Sequence, residues 1–297
     1  MSPESTLPHT PVMEQEVLAS LLPESGKLYV DGTLGLGGHS LAILRASAPD
    51  GRVIGFEWDD AAARFAARRL EEFGERFTLA KASYATLLPT LRSLGVERID
   101  GLLLDLGVSS LQLDMGERGF SFRFDAPLDM RMGSELQTTA ADVVNRASEE
   151  ELADIFYNYG EERQARRIAA FVVKTRKIQP LKTTKQLADL VGEAIPIRYH
   201  PKKIHVATKV FQALRIAVNR EFENMVSILN DAPQILKPGA RICVITFHSI
   251  EDRITKQALN SNPEYRAVDT KPLTPSKTEL FNNPRSRSAK LRVAVRA

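Results

Sequence analysis

Among 297 residues there is one cysteine, one tryptophan and five scattered histidines. The lone cysteine, Cys243, lies in the apolar run Ile242–Ile245 and cannot form an intrachain disulfide, so a disulfide-stapled secreted scaffold is excluded and a cytoplasmic location is expected. His200 and His205 are the closest histidines, and with no cysteine or acidic residue beside them they form no ligand cluster, so no metal is expected. No apolar run approaches the roughly 18–20 residues that span a bilayer. Met1–His9 also lacks the basic and apolar regions of a signal peptide, and no membrane partner is expected. What is present is ordinary globular composition, 43% apolar and 26% charged.

The formal net charge of +3 conceals an uneven distribution. Between Arg163 and Lys209 twelve basic side chains face two acidic ones, a local net of +10. Pro284–Ala297 adds five bases and no acid. Basic stretches on an otherwise acidic chain suit a polyanion, because phosphate contacts dominate affinity for nucleic acids. A solvated helix face with a basic tail would carry the same charges.

The first hundred residues alternate short apolar runs with helical stretches. Strands are expected at Lys27–Asp31, Arg52–Glu57, Arg76–Ala80 and Ile99–Asp105. A helix should begin near Ser40, and another should run to Leu70 with Asp60 as its N-cap. Continuous apolar strands separated by helices imply a parallel sheet covered on both faces. The alternation stops after Gly107. Phe120, Phe122 and Phe124 would share one face if extended, for base stacking or for packing. Helical periodicity fills Thr139–Val191, and one long helix is expected from about Ile204 to Leu236, with a break near Pro233. Sheet character returns at Ala240–Phe247 and Leu291–Val295. The economical division is an α/β domain in two parts, 1–113 and 206–297, around a helical insert at 114–205.

The loop Asp31-Gly-Thr-Leu-Gly-Leu-Gly-Gly-His39 follows the first strand. Its glycines permit a tight turn and close backbone approach to a ligand. The spacing does not match the dinucleotide fingerprint, and Asp31 at the strand end would repel a pyrophosphate. An ammonium-bearing ligand such as S-adenosylmethionine would be attracted. Glu57 and Asp105 end the second and fourth strands, so with Asp31 three carboxylates line one sheet edge. Any one of them could be a helix cap or turn residue; the three together favour a cationic cofactor.

Eight stretches together resemble the RsmH (MraW) methyltransferases: the loop Asp31–Ser40, Asp105–Ser110, Glu117–Phe122, Pro127–Met132, Tyr159–Arg163, Phe211–Ile216, Phe247–Arg253 and Asn283–Ser288. The resemblance runs from His9 to the C-terminus. It implies a class I S-adenosylmethionine-dependent methyltransferase, a Rossmann-like mostly parallel α/β sheet with a helical insert domain. The implied reaction is N4-methylation of a cytidine in the decoding region of bacterial small-subunit ribosomal RNA, on naked RNA or on the small subunit. Residue by residue, the family's cofactor positions fall on Gly37, Gly38, His39, Glu57, Tyr84, Asp105 and Gln112. Glu57 stands where Asp is usual and Tyr84 where Phe is usual; each keeps the chemistry, a diol acceptor and an aromatic surface. Leu111 replaces a frequent Pro. The insert is taken in this family as the RNA-recognition domain, in line with the charge count.

The amino group of cytosine is a poor nucleophile, so the site must supply acceptors for its N–H groups and finally take a proton. The Asp/Asn-Pro-Pro-aromatic motif of many amino-methylating enzymes is absent after the fourth strand. The candidate acceptors are Asp105, Asp129 and Ser109, with Ser110 beside it. Asp129 has an alternative as the ion-pair partner of Arg131 or Arg123, and the serines as turn hydrogen-bonders. Candidate RNA contacts are Arg163, Arg166, Arg167, Lys202, Lys203 and His248; His248 could equally organise Glu251, Asp252 and Arg253. A monomer and a homodimer both fit. The rival functions are a methyltransferase for another acceptor, a nicotinamide-linked oxidoreductase, which Asp31 and the glycine spacing oppose, and a non-catalytic RNA-binding assembly factor that keeps the cofactor site.

Overall fold

The computed structural model describes residues 10–297. The segment read for a signal peptide, and His9, lie outside the described residues. The chain forms two compact units, residues 10–107 with 222–297 and residues 108–221. In chain order the elements are α1 (Glu14–Leu21), β1 (Leu28–Asp31), α2 (Gly38–Ala46), β2 (Arg52–Phe56), α3 (Asp60–Arg69), β3 (Phe77–Ala80), α4 (Leu87–Ser93) and β4 (Ile99–Asp105). The second unit carries α5 (Ser110–Asp114), α6 (Ala140–Arg146), α7 (Glu149–Asn158), α8 (Ala165–Arg176), α9 (Thr184–Ala194) and α10 (Thr208–Asn219). The chain then returns through α11 (Glu221–Asp231), β5 (Leu236–Thr246), α12 (Ser249–Ser261), β6 (Tyr265–Ala267), α13 (Lys277–Asn282) and β7 (Lys290–Arg296).

The first unit is a seven-stranded sheet of order β3-β2-β1-β4-β5-β7-β6. The first five strands in that order pair in parallel, while β7 and β6 pair antiparallel. Side chains on β4 and β5 alternate between two cores. Leu102, Leu104, Ile242 and Val244 enter one, and Leu103, Cys243 and Ile245 enter the other. Both faces are covered, so the strands read as unbroken apolar runs. Cys243 is inert packing: burial pushes its thiol up to about 12. Strand order reverses between β1 and β4, and the crevice beyond the carboxyl ends at such a switch point is where open α/β sheets bind ligands.

Several expected details change. The N-cap of α3 is Asp59, whose carboxylate accepts the N–H groups of Ala61 at 2.9 Å and Ala62 at 3.2 Å; Asp60 is the first helical residue. The long helix expected to Leu236 is two helices broken at Arg220, which adopts φ 51°. Asn219 explains the corner. It is buried, its Oδ1 accepts the Met132 N–H at 2.8 Å, and its Nδ2 donates to the Met130 carbonyl at 2.8 Å. Arg215 and Glu221 then pair across the break at 2.7 Å. Pro233 lies beyond α11, in a short 3-10 turn.

In the second unit α7 packs on α8 and α10, burying Phe156, Ile168, Val172, Val210 and Leu214. Residues 206–221 were expected with the C-terminal part of the α/β domain, and 108–113 with its N-terminal part. Both fall in the second unit: α10 packs against α6 and α7, and α5 contacts the turn at 116–118. The three phenylalanines occupy turns and do not share a face. Phe120 is buried and Phe124 half exposed, while Phe122 stacks on His205 with centroids 4.5 Å apart.

Gly119 makes this turn region possible. It holds φ +76°, and a Cβ there would lie 2.4 Å from the Pro127 carbonyl oxygen and 2.8 Å from the Asp129 nitrogen. Gly119→Ala is expected to cost about 2–3 kcal/mol, since both strain and a backbone clash must be relieved. A urea unfolding midpoint equal to that of the wild type would contradict this.

Candidate active site

The loop after β1 is built around a buried acid. Asp31 accepts the Ser40 hydroxyl at 2.8 Å and the Thr33 N–H at 3.2 Å, so it ties the strand end to the first turn of α2. Each of its oxygens accepts one donor of the loop itself, so the carboxylate is fixed in place at the strand end. Burial raises its pKa, and His39, Ser40 and Thr33 oppose that shift. Gly32 donates to the Leu103 carbonyl at 2.9 Å. A Cβ on Gly32 would stand 2.6 Å from Leu104 Cδ2, so a larger residue would have to displace the end of that side chain. Gly37 sits at φ +76° as the residue before α2, and Gly38 begins the helix two residues earlier than expected.

Glu57 follows β2 and is buried. Its Oε2 accepts the Gly35 N–H at 2.9 Å and its Oε1 the Asp59 N–H at 2.8 Å. Burial pushes its pKa up to about 7, against the lowering effect of those N–H groups. Tyr84 follows β3 in a short 3-10 turn, packs against the sheet core and borders the Gly32 turn.

Asp105 ends β4 and donates its own N–H to Thr33 Oγ1 at 2.5 Å. Its Oδ2 lies 3.6 Å from Nε2 of His39, a buried side chain in the first turn of α2. Neither ring nitrogen of His39, nor Asp105 Oδ1, has a hydrogen-bond partner among the described residues, although all three atoms are shut away from solvent. Burial alone would lower the His39 pKa; the carboxylates of Asp105, Asp31 and Glu14 outweigh it and raise it. Unsatisfied buried polar atoms are costly, and here they gather at the switch point between β1 and β4. That is a ready place for a polar ligand.

His248 stands on the same sheet edge, three residues beyond Ile245, the β5 partner of Asp105. It caps α12: Nδ1 accepts the Glu251 N–H at 3.4 Å, and Nε2 lies 3.0 Å from Glu251 Oε1. Glu251 also accepts the Phe247 N–H at 2.7 Å. Asp252 turns elsewhere, to Lys290 at 2.9 Å and Arg292 at 2.7 Å. The organising alternative for His248 therefore holds for Glu251 alone of the two acids.

In the second unit Ser109 caps α5 and accepts the Gln112 N–H at 3.3 Å, and buried Gln112 returns its Oε1 to the Ser109 N–H at 3.1 Å. The Ser110 side chain lies outside what is described. Asp129 makes a two-pronged ion pair with Arg131, at 2.8 and 2.7 Å, which holds its carboxyl below the usual range despite partial burial. Arg123 is not its partner. Arg163, Arg166, Arg167, Lys202 and Lys203 are all exposed; Arg167 also donates its Nε–H to the Ala194 carbonyl and lies over the Phe171 ring at 5.7 Å. No metal-ligating cluster occurs among the described residues, and no helix there is long and apolar enough to cross a membrane.

Residues 6–297 match the model of the MraW methylase family. The chain belongs to that family. A protein called ribosomal RNA small subunit methyltransferase H from Desulfotalea psychrophila is 54% identical over 286 residues, covering 96% of this chain and 97% of the relative. The protein of the same name from Syntrophotalea carbinolica is 49% identical over 306 residues, covering 97% and 98%. The glycine loop, Asp105 and the Rossmann-like sheet are thus parts of a methyltransferase. Thr33, Ser40 and Asp59, which hold Asp105, Asp31 and Glu57 in place, were not singled out from the sequence. Thr33 and Ser40 lie inside the matched loop motif, and that position was their only signal.

Proposed function

We propose that the chain methylates N4 of a specific cytidine in the decoding region of small-subunit ribosomal RNA, in the cytoplasm, using S-adenosylmethionine. The observation that carries this reading is the set of buried, unpartnered polar atoms of His39 and Asp105, beside Glu57 and the glycine loop. The names of the relatives point to the ribosomal RNA.

The residues present fit the cofactor. Glu57 offers a carboxylate to a ribose diol, Tyr84 a ring to adenine, and Gly37 and Gly38 room for close approach. His39 and Gln112 are two further positions at which the family resemblance implies a cofactor contact. S-adenosylmethionine supplies an electrophilic methyl group; the protein aligns it with the acceptor nitrogen. On accepting that methyl group the amine nitrogen would have to give up one proton, which a side chain of the protein would take. Positioning supplies much of the rate in such a transfer. Of the three acceptors considered for that amine, Asp105 retains an uncommitted oxygen. Asp129 is held by Arg131, and Ser109 caps α5. We therefore assign Oδ1 of Asp105 to the reacting amine, and Asp129 and Ser109 to shaping their loops. Arg163, Arg166, Arg167, Lys202 and Lys203 are exposed and available to phosphates.

The test incubates purified protein with methyl-labelled S-adenosylmethionine and small subunits from cells lacking this modification. Label in N4-methylated cytidine after digestion is the expected result. Label in another nucleoside would move the acceptor, and binding of the cofactor without transfer would favour the assembly-factor reading.

A further inference from the structure

The second unit holds an open cleft of about 620 Å³ between the C-terminal half of α9 and residues 200–206. That size falls within the roughly 300–1,000 Å³ of small-molecule sites. None of its lining residues belongs to the strand-end cluster.

Its walls are chemically mixed in a particular way. His205 is exposed, yet its ring is fixed: it stacks on Phe122 at 4.5 Å, and Phe122 abuts Phe211 edge-on at 5.1 Å. The His205 Nδ1 accepts the Ala207 N–H at 3.2 Å. A flat π surface is thereby presented on a rigid support. On the opposite wall Glu193 is exposed in the last turn of α9. A carboxylate at the negative end of a helix dipole is unfavourable for the helix, so fold stability does not account for it. Outside the cleft the chain sets cations among exposed apolar groups. Arg198 lies 4.8 Å over the Tyr199 ring, Lys202 and Lys203 are exposed, and Ile197 is 85% exposed.

Cations outside and a carboxylate within match a nucleotide. Phosphates meet Arg198, Lys202 and Lys203, while Glu193 would repel a phosphate or an acidic peptide from the interior; the other acid of the lining, Asp189, is paired with Lys185 at 2.7 Å. We propose that this cleft takes one unstacked base of the RNA substrate, stacked on His205, with its exocyclic amine donating to Glu193. Carboxylates accept from base amino groups in this way, and aromatic side chains take unstacked bases of single-stranded RNA. Uracil, which has no exocyclic amine, is disfavoured. The inference rests on the RNA reading given above.

Gly192 provides the test. It lines the cleft, and the atom nearest to a Cβ placed on it is Val206 Cγ1 at 4.0 Å, so a side chain enters the cleft without meeting backbone. Phenylalanine is also the better helix former. Binding of fluorescent oligo-C, oligo-A and oligo-U to the full-length protein is measured for the wild type, Gly192→Phe and Glu193→Gln. Methylation of small subunits is followed in parallel. The wild type should prefer oligo-C and oligo-A to oligo-U by about tenfold, and Glu193→Gln should erase that preference. Gly192→Phe should weaken oligo-C and oligo-A about tenfold and raise KM for small subunits, leaving kcat and cofactor affinity unchanged. A folded Gly192→Phe protein with wild-type oligomer affinity, or a wild type indifferent to the base, overturns the proposal. If the oligomer pattern holds but small subunits receive no methyl group, the functional reading fails and the cleft stands.

Discussion

Asp105→Ala is expected to lower the single-turnover rate of methyl transfer by about 10²–10⁴-fold, the range typical of removing a positioned proton acceptor. The physical basis is local. Asp105 Oδ1 is buried with no hydrogen-bond partner among the described residues, and the neighbouring oxygen is the one facing His39. Removing the carboxylate also removes the main group that raises the His39 pKa, so burial then dominates and the imidazole should titrate at lower pH. Proton NMR of the ring detects that shift independently of turnover. Activity within tenfold of the wild type would show that the amine loses its proton to something other than Asp105.

Glu57 should make both stability and cofactor affinity depend on pH near neutrality. Its pKa rises on folding from an ordinary 4.5 to about 7, because burial disfavours the carboxylate. A group raised on folding stabilises most below its unfolded value and loses that contribution as pH climbs through the folded value. The loss therefore falls between about pH 4.5 and 7 and is of order 3 kcal/mol at most. Asp31 and His39, both raised, act in the same direction. Asp129 and Asp252, both lowered, gain their stabilisation at more acidic pH and do not mask the effect.

Glu57→Gln should flatten urea-unfolding stability between pH 5 and 8. At pH 5 it should cost about 1–3 kcal/mol, because an amide has one acceptor oxygen for the two N–H groups of Gly35 and Asp59. Cofactor affinity of the wild type should rise with pH through about 7, since a charged acceptor binds hydroxyls more strongly than a neutral one. That rise should vanish in the variant. A pH-independent wild type in both measurements would place Glu57 in its charged form throughout.

The sequence by itself determined the parallel sheet, the glycine loop, the three acids at strand ends and membership of the MraW methylase family. These are local signals. Apolar runs such as Ile99–Leu104 announce strands covered on both faces, and the motif Asp31–Ser40 is contiguous. Where contacts join residues distant in the chain, only the tertiary structure decided. Arg220 breaks a helix without glycine or proline, because Asn219 bonds to Met130 and Met132 almost ninety residues away. That Asp31 is anchored by Ser40 and Thr33, one to each oxygen, is likewise visible only in the folded loop. Asp129 is committed to Arg131 by geometry that its two-residue spacing permits but does not require. The cleft beside Gly192 exists because α9 and residues 200–206 converge. Hydrophobic periodicity reports which face of an element is buried; it does not report what that face meets, and at this protein's loops the partner determines the role.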